Sequence, residues 1–215
     1  MNLRLIPVIE FEPSSLGVEN FCELQESGLW SAHWNRVLGQ MGLRPIRPGS
    51  WLVACSEFRA GSAFELLVRV HLTSGATPSP NSIPATDEIS PISGGYAFIV
   101  DGIVQIEPSC CCDLSDLEAW CAAFREGEGG ATPVTIGHGC ISLSTDESLV
   151  TVTLHSEVAG HQESLYRYPA SAFAFALGQA DVERRSFATS LKAYLRQFTL
   201  PARLDEVVST LVFGR

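Results

Sequence analysis

The stretch that decides the fold is "GGYAFIVDGIVQIEPSCCCDLSDLEAW", residues 94–120. Asp-Gly at 101 and 102 separates two apolar runs, and a type I′ turn favours this pair because both central residues need a positive φ. The pattern predicts a β-hairpin with strands at 96–100 and 103–107, which Pro108 ends. A helix ending near residue 126 is predicted next, from apolar residues at helical spacing. These are Leu114, Leu117, Trp120, Cys121 and Phe124.

Two capping patterns mark the start of this predicted helix. Ser115 and Glu118 fit a capping box, in which two side chains satisfy backbone N–H groups of the first turn. Asp113 is the alternative N-cap. Acidic side chains at a helix start also interact favourably with the helix dipole. The acids at 113–118 therefore have a structural explanation before any catalytic one.

The first third of the chain mixes strand and helix patterns. Period-two alternation predicts strands at 3–11, with one buried face, and at 51–55 and 63–72. In the last of these, one parity is apolar, and Glu65, Arg69 and His71 lie on the other, largely wet face with Leu67 between them. A helix is predicted from Trp30 to Met41. Residues 74–93 are rich in Ser, Pro and Thr and predict a long loop or a linker.

The second half continues with strands and ends in helices. Strands are predicted on either side of a turn at 145–148. A long helical stripe runs from Phe173 to Phe198, with Gly178 as a potential break and Arg184 and Arg185 on a solvated face. A final helix follows Pro201. This order predicts a single α+β domain over 1–215, with a mainly antiparallel sheet, helices packed on one face and a long C-terminal helical segment.

The acidic charge is concentrated in one part of the sequence. The net charge is −10, and residues 87–150 alone hold eleven acidic residues and one basic residue. An acidic surface repels nucleic acid and anionic lipid, which argues against both as direct partners, and attracts a basic protein. The candidate residues for binding such a partner are Asp113, Asp116, Glu118, Glu126 and Glu128.

Cysteine usage and the N-terminus predict a cytoplasmic protein. The seven cysteines are odd in number, and three of them are adjacent. Such an arrangement favours reduced thiols over a disulfide framework. The N-terminal apolar stretch is short and runs into Glu10 and Glu12, unlike a secretion signal. No apolar run reaches the roughly 18 residues of a membrane span, so we expect no membrane association.

One alternative places a metal at the cysteines. Cys110 and Cys112 are two residues apart, and His138 and Cys140 have the same spacing. In extended chain the members of each pair point the same way. Together they would supply three sulfur ligands and one nitrogen ligand for tetrahedral zinc. Zinc ligands are more often separated by two to four residues, and buried cysteines commonly act as small apolar side chains.

A second alternative is a thiol nucleophile. Cys111 or Cys112 lies just before a helix N-terminus, where the helix dipole can lower the pKa of a thiol. His138 would be the base, with Asp113 or Asp116 as the group that orients it. The adjacent anion Asp113 opposes a thiolate. The sequence contains none of the P-loop, G-x-G-x-x-G, H-E-x-x-H or G-x-S-x-G motifs.

Two blocks of the sequence resemble a family of small uncharacterised bacterial proteins. "GGYAFIVDGIVQIEPSCC" followed by "DL", and the later "IGHGCISL", are similar to blocks in immunity-type proteins of contact-dependent and polymorphic toxin systems. The likeness covers about a quarter of the chain. The family pattern has two cysteines, matching Cys110 and Cys111, and Cys112 departs from it. The resemblance implies a fold and a biological context rather than a reaction.

Three functions follow from these observations. The first is a non-enzymatic cytoplasmic binding protein without a cofactor, whose acidic central segment holds a basic partner, in particular a toxin that it neutralises as an immunity protein. The second is a metal- or thiol-dependent enzyme, with zinc as the metal, built on Cys110, Cys111, Cys112, His138 and Cys140. The third is an accessory protein of unknown function.

Overall fold

The computed structural model describes residues 1–59, 61–73, 75–79, 83–109, 111–127, 130–137, 139–155 and 164–215. The chain forms two antiparallel sheets, each of four strands, with six α-helices in the described ranges. The predicted α+β class is confirmed. The strands are β1 (Leu3–Glu10), β2 (Leu52–Ala54), β3 (Gly94–Val100), β4 (Ile103–Ile106), β5 (Thr132–Thr135), β6 (Cys140–Thr145), β7 (Leu149–His155) and β8 (Ser164–Pro169).

The helices are α1 (Phe21–Glu26), α2 (Trp30–Gln40), α3 (Gly61–His71), α4 (Leu117–Glu126), α5 (Ala170–Leu195) and α6 (Pro201–Phe213). The strand orders are β2-β1-β3-β4 in one sheet and β5-β6-β7-β8 in the other. No helix among the described residues combines the length and the apolar character required to cross a membrane.

The chain divides into two compact units. Unit 1 comprises Met1–Pro7 and Ser93–Glu183, and unit 2 comprises Val8–Ile92 and Arg184–Arg215. The boundary after Ile92 falls at the end of the predicted long loop, 74–93. That residues 1–215 constitute a single domain stays a prediction.

The predicted hairpin is present in unit 1. Its turn residues Asp101 and Gly102 have φ values of 49° and 81°, as a type I′ turn requires. The Asp101 carboxylate accepts a 2.6 Å hydrogen bond from the Asn2 backbone N–H, and the Asp101 N–H donates to the Asn2 carbonyl at 2.8 Å. The turn is therefore tied to the residue just before β1.

An aromatic core fills unit 1. Phe173, near the start of α5, lies 6.0 Å from Phe98 of β3 and 6.4 Å from Trp120 of α4, measured between ring centroids. Phe124 stacks on the same ring at 5.6 Å. The predicted apolar stripe of α4 faces this core, with Leu117 and Trp120 only 1% exposed. Helix α4 ends at Glu126, as predicted.

The second sheet lies wholly in unit 1. The strands predicted on either side of the turn at 145–148 are β6 and β7, which pair antiparallel. Strand β8, which the sequence pattern did not predict, pairs with β7, with Tyr168 opposite Val150. Helix α5 begins directly after Pro169 and continues through Gly178 without a break.

Three expectations for the rest of the chain are wrong. Residues 63–71 belong to helix α3, not to a strand, and Leu67 on the supposed wet face is 1% exposed. Arg184 is 2% exposed rather than solvated, and its guanidinium lies 4.7 Å from the centre of the Phe213 ring. Strand β1 is buried on both faces, since every residue from Leu5 to Ile9 is covered. The predicted helix α2 is confirmed.

His71 ends helix α3 in unit 2 as a half-buried residue whose Nε2 atom is fully buried. Its ring meets Phe11 edge-on at a centroid distance of 5.7 Å and forms a hydrogen bond with the Glu10 backbone. Its Nε2 has no hydrogen-bond partner in the described part of the chain. Burial lowers the pKa of His71 from 6.5 to about 4, and the Glu10 hydrogen bond only partly offsets this.

This histidine makes the stability depend on mild acid. The unfolded chain binds a proton at His71 near pH 6.5, but the folded chain resists protonation down to about pH 4. The free energy of unfolding should therefore fall by about 3 kcal/mol between pH 6.5 and 4 on account of this residue. Denaturant titrations of the wild type and of His71→Phe, which keeps an aromatic ring, measure the difference. Equal losses in both proteins would contradict the expectation.

Candidate functional site

The segment that carries the predicted thiols is held on two sides. We call the described residues between β4 and α4, 107–109 and 111–116, the junction. The Ser109 N–H and hydroxyl both donate to the Ile136 carbonyl at 2.8 Å. On the other side, the Gly94 N–H donates to the Cys112 carbonyl at 2.9 Å, and Ser93 forms an isolated antiparallel β-bridge with Asp113. The junction is therefore anchored both to the start of β3 and to the residues that follow β5.

Gly95 allows the junction to approach β3 this closely. Its φ is 123°, which L side chains rarely adopt. A Cβ placed there would lie 3.0 Å from Cβ of Pro108 and 3.1 Å from Cβ of Cys112. Any side chain at position 95 would thus strain the backbone and collide with the junction.

The thiol of Cys112 is buried and retains its proton. Cys112 is 5% exposed and hydrogen-bonds the Asp116 carboxylate. Burial first, and then the neighbouring Asp116 charge, raise the pKa of Cys112 to about 12. A thiol nucleophile has to be a thiolate. The raised pKa therefore opposes nucleophilic attack by Cys112 at neutral pH.

The acids of the junction cap the helical segment that precedes α4. The Asp113 carboxylate accepts from the Ser115 N–H at 2.6 Å, and the Asp116 carboxylate accepts from the Asp113 N–H at 3.0 Å. Asp113 is therefore the N-cap, which is the alternative that the sequence offered. The predicted capping box of Ser115 and Glu118 is wrong. Burial raises the pKa of Asp116. Both acids are half-buried and serve the fold directly.

Two of the four predicted zinc ligands, Cys110 and His138, lie outside the described residues. Cys140 is half-buried in β6, and its partner across the sheet is His155. The His155 Nε2 is 2.9 Å from the Ser142 hydroxyl. Among the residues that the structure describes, no three His, Cys, Asp or Glu side chains are grouped to hold a metal. The zinc set stays a prediction.

The exposed acids gather at a corner that the sequence did not indicate. The Thr145 N–H donates to the Gly127 carbonyl at 2.9 Å, and its hydroxyl donates to the Phe124 carbonyl at 3.2 Å. These bonds bring Glu126, at the end of α4, near Asp146 and Glu147, which follow β6. All three acids are exposed. We call them the acidic corner.

Asp146 contributes to both the turn and the charge. Its carboxylate accepts hydrogen bonds from the backbone N–H groups of Ser148 at 2.9 Å and Leu149 at 2.7 Å. These bonds lower the pKa of Asp146, so it remains ionised in mild acid. Of the other predicted partner-binding residues, Glu118 is exposed on α4, and Glu128 lies outside the described residues.

The division of the chain also divides its charge. Unit 1 contains thirteen acidic and three basic residues, a net charge of −10, whereas unit 2 contains eleven of each and is neutral. The whole net charge of the protein therefore belongs to the unit that carries the acidic corner. Sequence position alone could not show this, since Met1–Pro7 and Ser93–Glu183 join unit 1 only in the fold.

Thiol labelling should separate the two neighbouring cysteines. At pH 8, we expect iodoacetamide to modify the exposed Cys111 at least about 100 times faster than the buried, protonated Cys112. Tandem mass spectrometry resolves the sites, and the exposed Cys22 is an internal reference. A chelator should leave the rates unchanged. Rapid labelling of Cys112 would contradict the buried-thiol interpretation.

A pair of glycine substitutions tests the packing of the junction. Gly95→Ala should lower the free energy of unfolding by about 2–4 kcal/mol, because it adds both backbone strain and a clash. Gly178→Ala is the control. It lies in α5 with open space around it and should raise the free energy by about 0.5–1 kcal/mol. Chemical denaturation measures both, and a neutral Gly95→Ala would show that the junction can move away from β3.

No family model, curated protein or solved structure matches the chain. A functional assignment therefore rests on the geometry and charge of its own residues.

Proposed function

We propose that the protein is a non-enzymatic binding protein and that unit 1 docks a basic protein partner. The observation that carries this proposal is the charge segregation, −10 on unit 1 and zero on unit 2. An excess of one sign on one unit produces a field that steers an oppositely charged protein and accelerates its association.

The acidic corner is the most suitable point of contact. Glu126, Asp146 and Glu147 are exposed, and no basic side chain within the described ranges forms an ion pair with Glu126 or Glu147. The hydrogen bonds from Thr145 to the end of α4 hold the corner in place. A preformed charged surface loses little conformational entropy on binding, which favours affinity.

The resemblance to immunity-type proteins suggests that the basic partner is a toxin. A toxin domain that is neutralised by its immunity protein has to be bound and covered, and this demands complementary shape and charge rather than catalytic groups. The buried, protonated Cys112 packs as a small apolar side chain, in keeping with a function that needs no reactive thiol at this position. The proposed partner is accordingly a basic toxin domain encountered in the cytoplasm.

Charge reversal in each unit tests the proposal. A basic protein captured from the source cells would be identified, purified and measured against the wild type and two variants. The test variant is Glu126→Lys with Glu147→Lys, both in unit 1. Its association rate constant should fall by about tenfold at low salt, because steering is lost, and should depend less on salt. Asp146 is left intact because it holds the turn.

The matched control is Glu23→Lys with Glu26→Lys, two exposed acids on α1 in unit 2. It changes the net charge by the same amount, but we expect nearly wild-type association. Equal effects of the two variants would contradict a site on unit 1. For an immunity protein, the wild type should also restore growth to cells that express the captured partner, and the unit 1 variant should protect them less.

A zinc- or thiol-dependent enzyme is the second candidate, and one contact favours it. Ser109, which precedes Cys110, donates twice to Ile136, two residues before His138. The chain segments next to both residues therefore meet. Zinc held by Cys112 and Cys140 would make their alkylation depend on a chelator. The labelling experiment on Cys111 and Cys112 thus separates this candidate from the first.

A further inference from the structure

A surface cavity in unit 2 has no role in the function proposed above. It measures about 520 Å³ and is lined by Gly61, Glu65, Pro78, Tyr194, Gln197 and Phe198. Small-molecule sites commonly fall between about 300 and 1,000 Å³ and combine apolar walls with a few polar groups. This cavity has both, with two aromatic rings on one side and one carboxylate.

A chain of stacked rings fixes the aromatic wall. Phe187 stacks on Phe64 at a centroid distance of 6.0 Å, and Phe64 stacks on Tyr194 at 5.5 Å. Phe198 lies 5.3 Å from Tyr194 with its plane tilted by 53°. Phe64 and Phe187 are buried, so the Tyr194 ring stacks on a ring that is itself fixed in the core. The two rings that line the cavity belong to the end of α5 and the turn after it.

The carboxylate of Glu65 supplies a negative charge beside these rings. Glu65 is exposed on α3, and in the described part of the chain no basic side chain forms an ion pair with it. Burial, followed by the charge of Glu65, raises the pKa of Tyr194, which places the carboxylate close to that ring. The electron-rich faces of aromatic rings and a carboxylate favour the same kind of ligand, a cation.

Gly61 leaves the cavity open on the side of α3. It lies one turn before Glu65 on the same helix face, and a Cβ built on it meets nothing within 4 Å. Its φ is ordinary, so a larger residue would enter the cavity without backbone strain. The opening therefore depends on the absence of a side chain at this position.

We propose that this cavity binds an organic cation, an alkylammonium or guanidinium group, between Glu65 and the rings of Tyr194 and Phe198. The carboxylate offsets the charge of the ligand, and the rings replace part of its hydration by cation–π contact. A metal ion is a poorer match, because hard cations require several oxygen ligands. The cation can come from a free small molecule or from a lysine or arginine side chain of another protein.

Calorimetric or NMR titration with defined probes tests the site. Choline is the small-molecule cation, and 3,3-dimethylbutan-1-ol is its neutral counterpart of the same shape. We expect the neutral alcohol to bind at least about tenfold more weakly, because it lacks the charge. Blocked arginine amide and blocked lysine amide represent the protein side chains. Tighter binding of these than of choline indicates a protein source, and the reverse order indicates a free ligand.

Three variants locate the binding. Glu65→Gln keeps the shape of the side chain and should weaken choline about tenfold. Gly61→Leu keeps the charge but fills the cavity and should abolish binding. Glu23→Gln removes an exposed charge elsewhere in unit 2 and should leave binding unchanged. Circular dichroism confirms that each variant is folded.

The outcomes decide the proposal. Equal affinity for choline and the neutral alcohol, no binding of choline or of either blocked amide, or binding that survives in Gly61→Leu would overturn it. Because free probes are used and the acidic corner is untouched, failure here leaves the proposed docking of a basic protein on unit 1 standing. The reverse also holds.

Discussion

The packing of the junction against Gly95 is the constraint on which unit 1 depends. Pro108 and Cys112 come so close to β3 that only a residue without a side chain, at a φ of 123°, fits there. This contact directs the chain from the β3–β4 hairpin into α4. A hydrogen bond also joins β3 to the junction, because the Tyr96 hydroxyl donates to the Leu114 carbonyl at 2.8 Å. Once α4 is so placed, its apolar face meets Phe173 and the core closes.

The same contact determines what the cysteines can do. Packing over β3 buries Cys112 and sets its thiol against Asp116, which raises the pKa of the thiol to about 12. Asp113 and Asp116 accept the capping hydrogen bonds and are half-buried, so a partner can reach only part of each carboxylate. The exposed acids Glu126, Asp146 and Glu147 lie further along, where the end of α4 meets the end of β6. The contact therefore suppresses the reactivity of Cys112, while the neighbouring Cys111 stays exposed.

Sequence patterns predicted an element correctly where all the residues that determine it lie in one short segment. The Asp-Gly turn needs only two residues with positive φ, and the predicted apolar stripe of α4 is complete within the eleven residues 114–124, so both were predicted correctly. The strand prediction at 63–72 was wrong because the apolar residues there fit both the period of a strand and that of a helix. Leu67 is buried, which fits the helix and not a strand with one wet face. Arg184 was misjudged because its cover comes from Phe213, 29 positions later. The acidic corner depends on hydrogen bonds between residues 127 and 145, which no local pattern contains.

The sequence by itself determined the α+β class, the hairpin, the helix that follows it, and the acidic character of the central segment. Turn chemistry, hydrophobic periodicity and charge are all properties of neighbouring residues, which is why the sequence shows them directly. Only the tertiary structure decided that the charge belongs to one unit, that the Cys112 thiol keeps its proton, and that Glu65 stands beside Tyr194 and Phe198. These properties depend on burial and on contacts between distant residues, and such contacts exist only after the chain has folded.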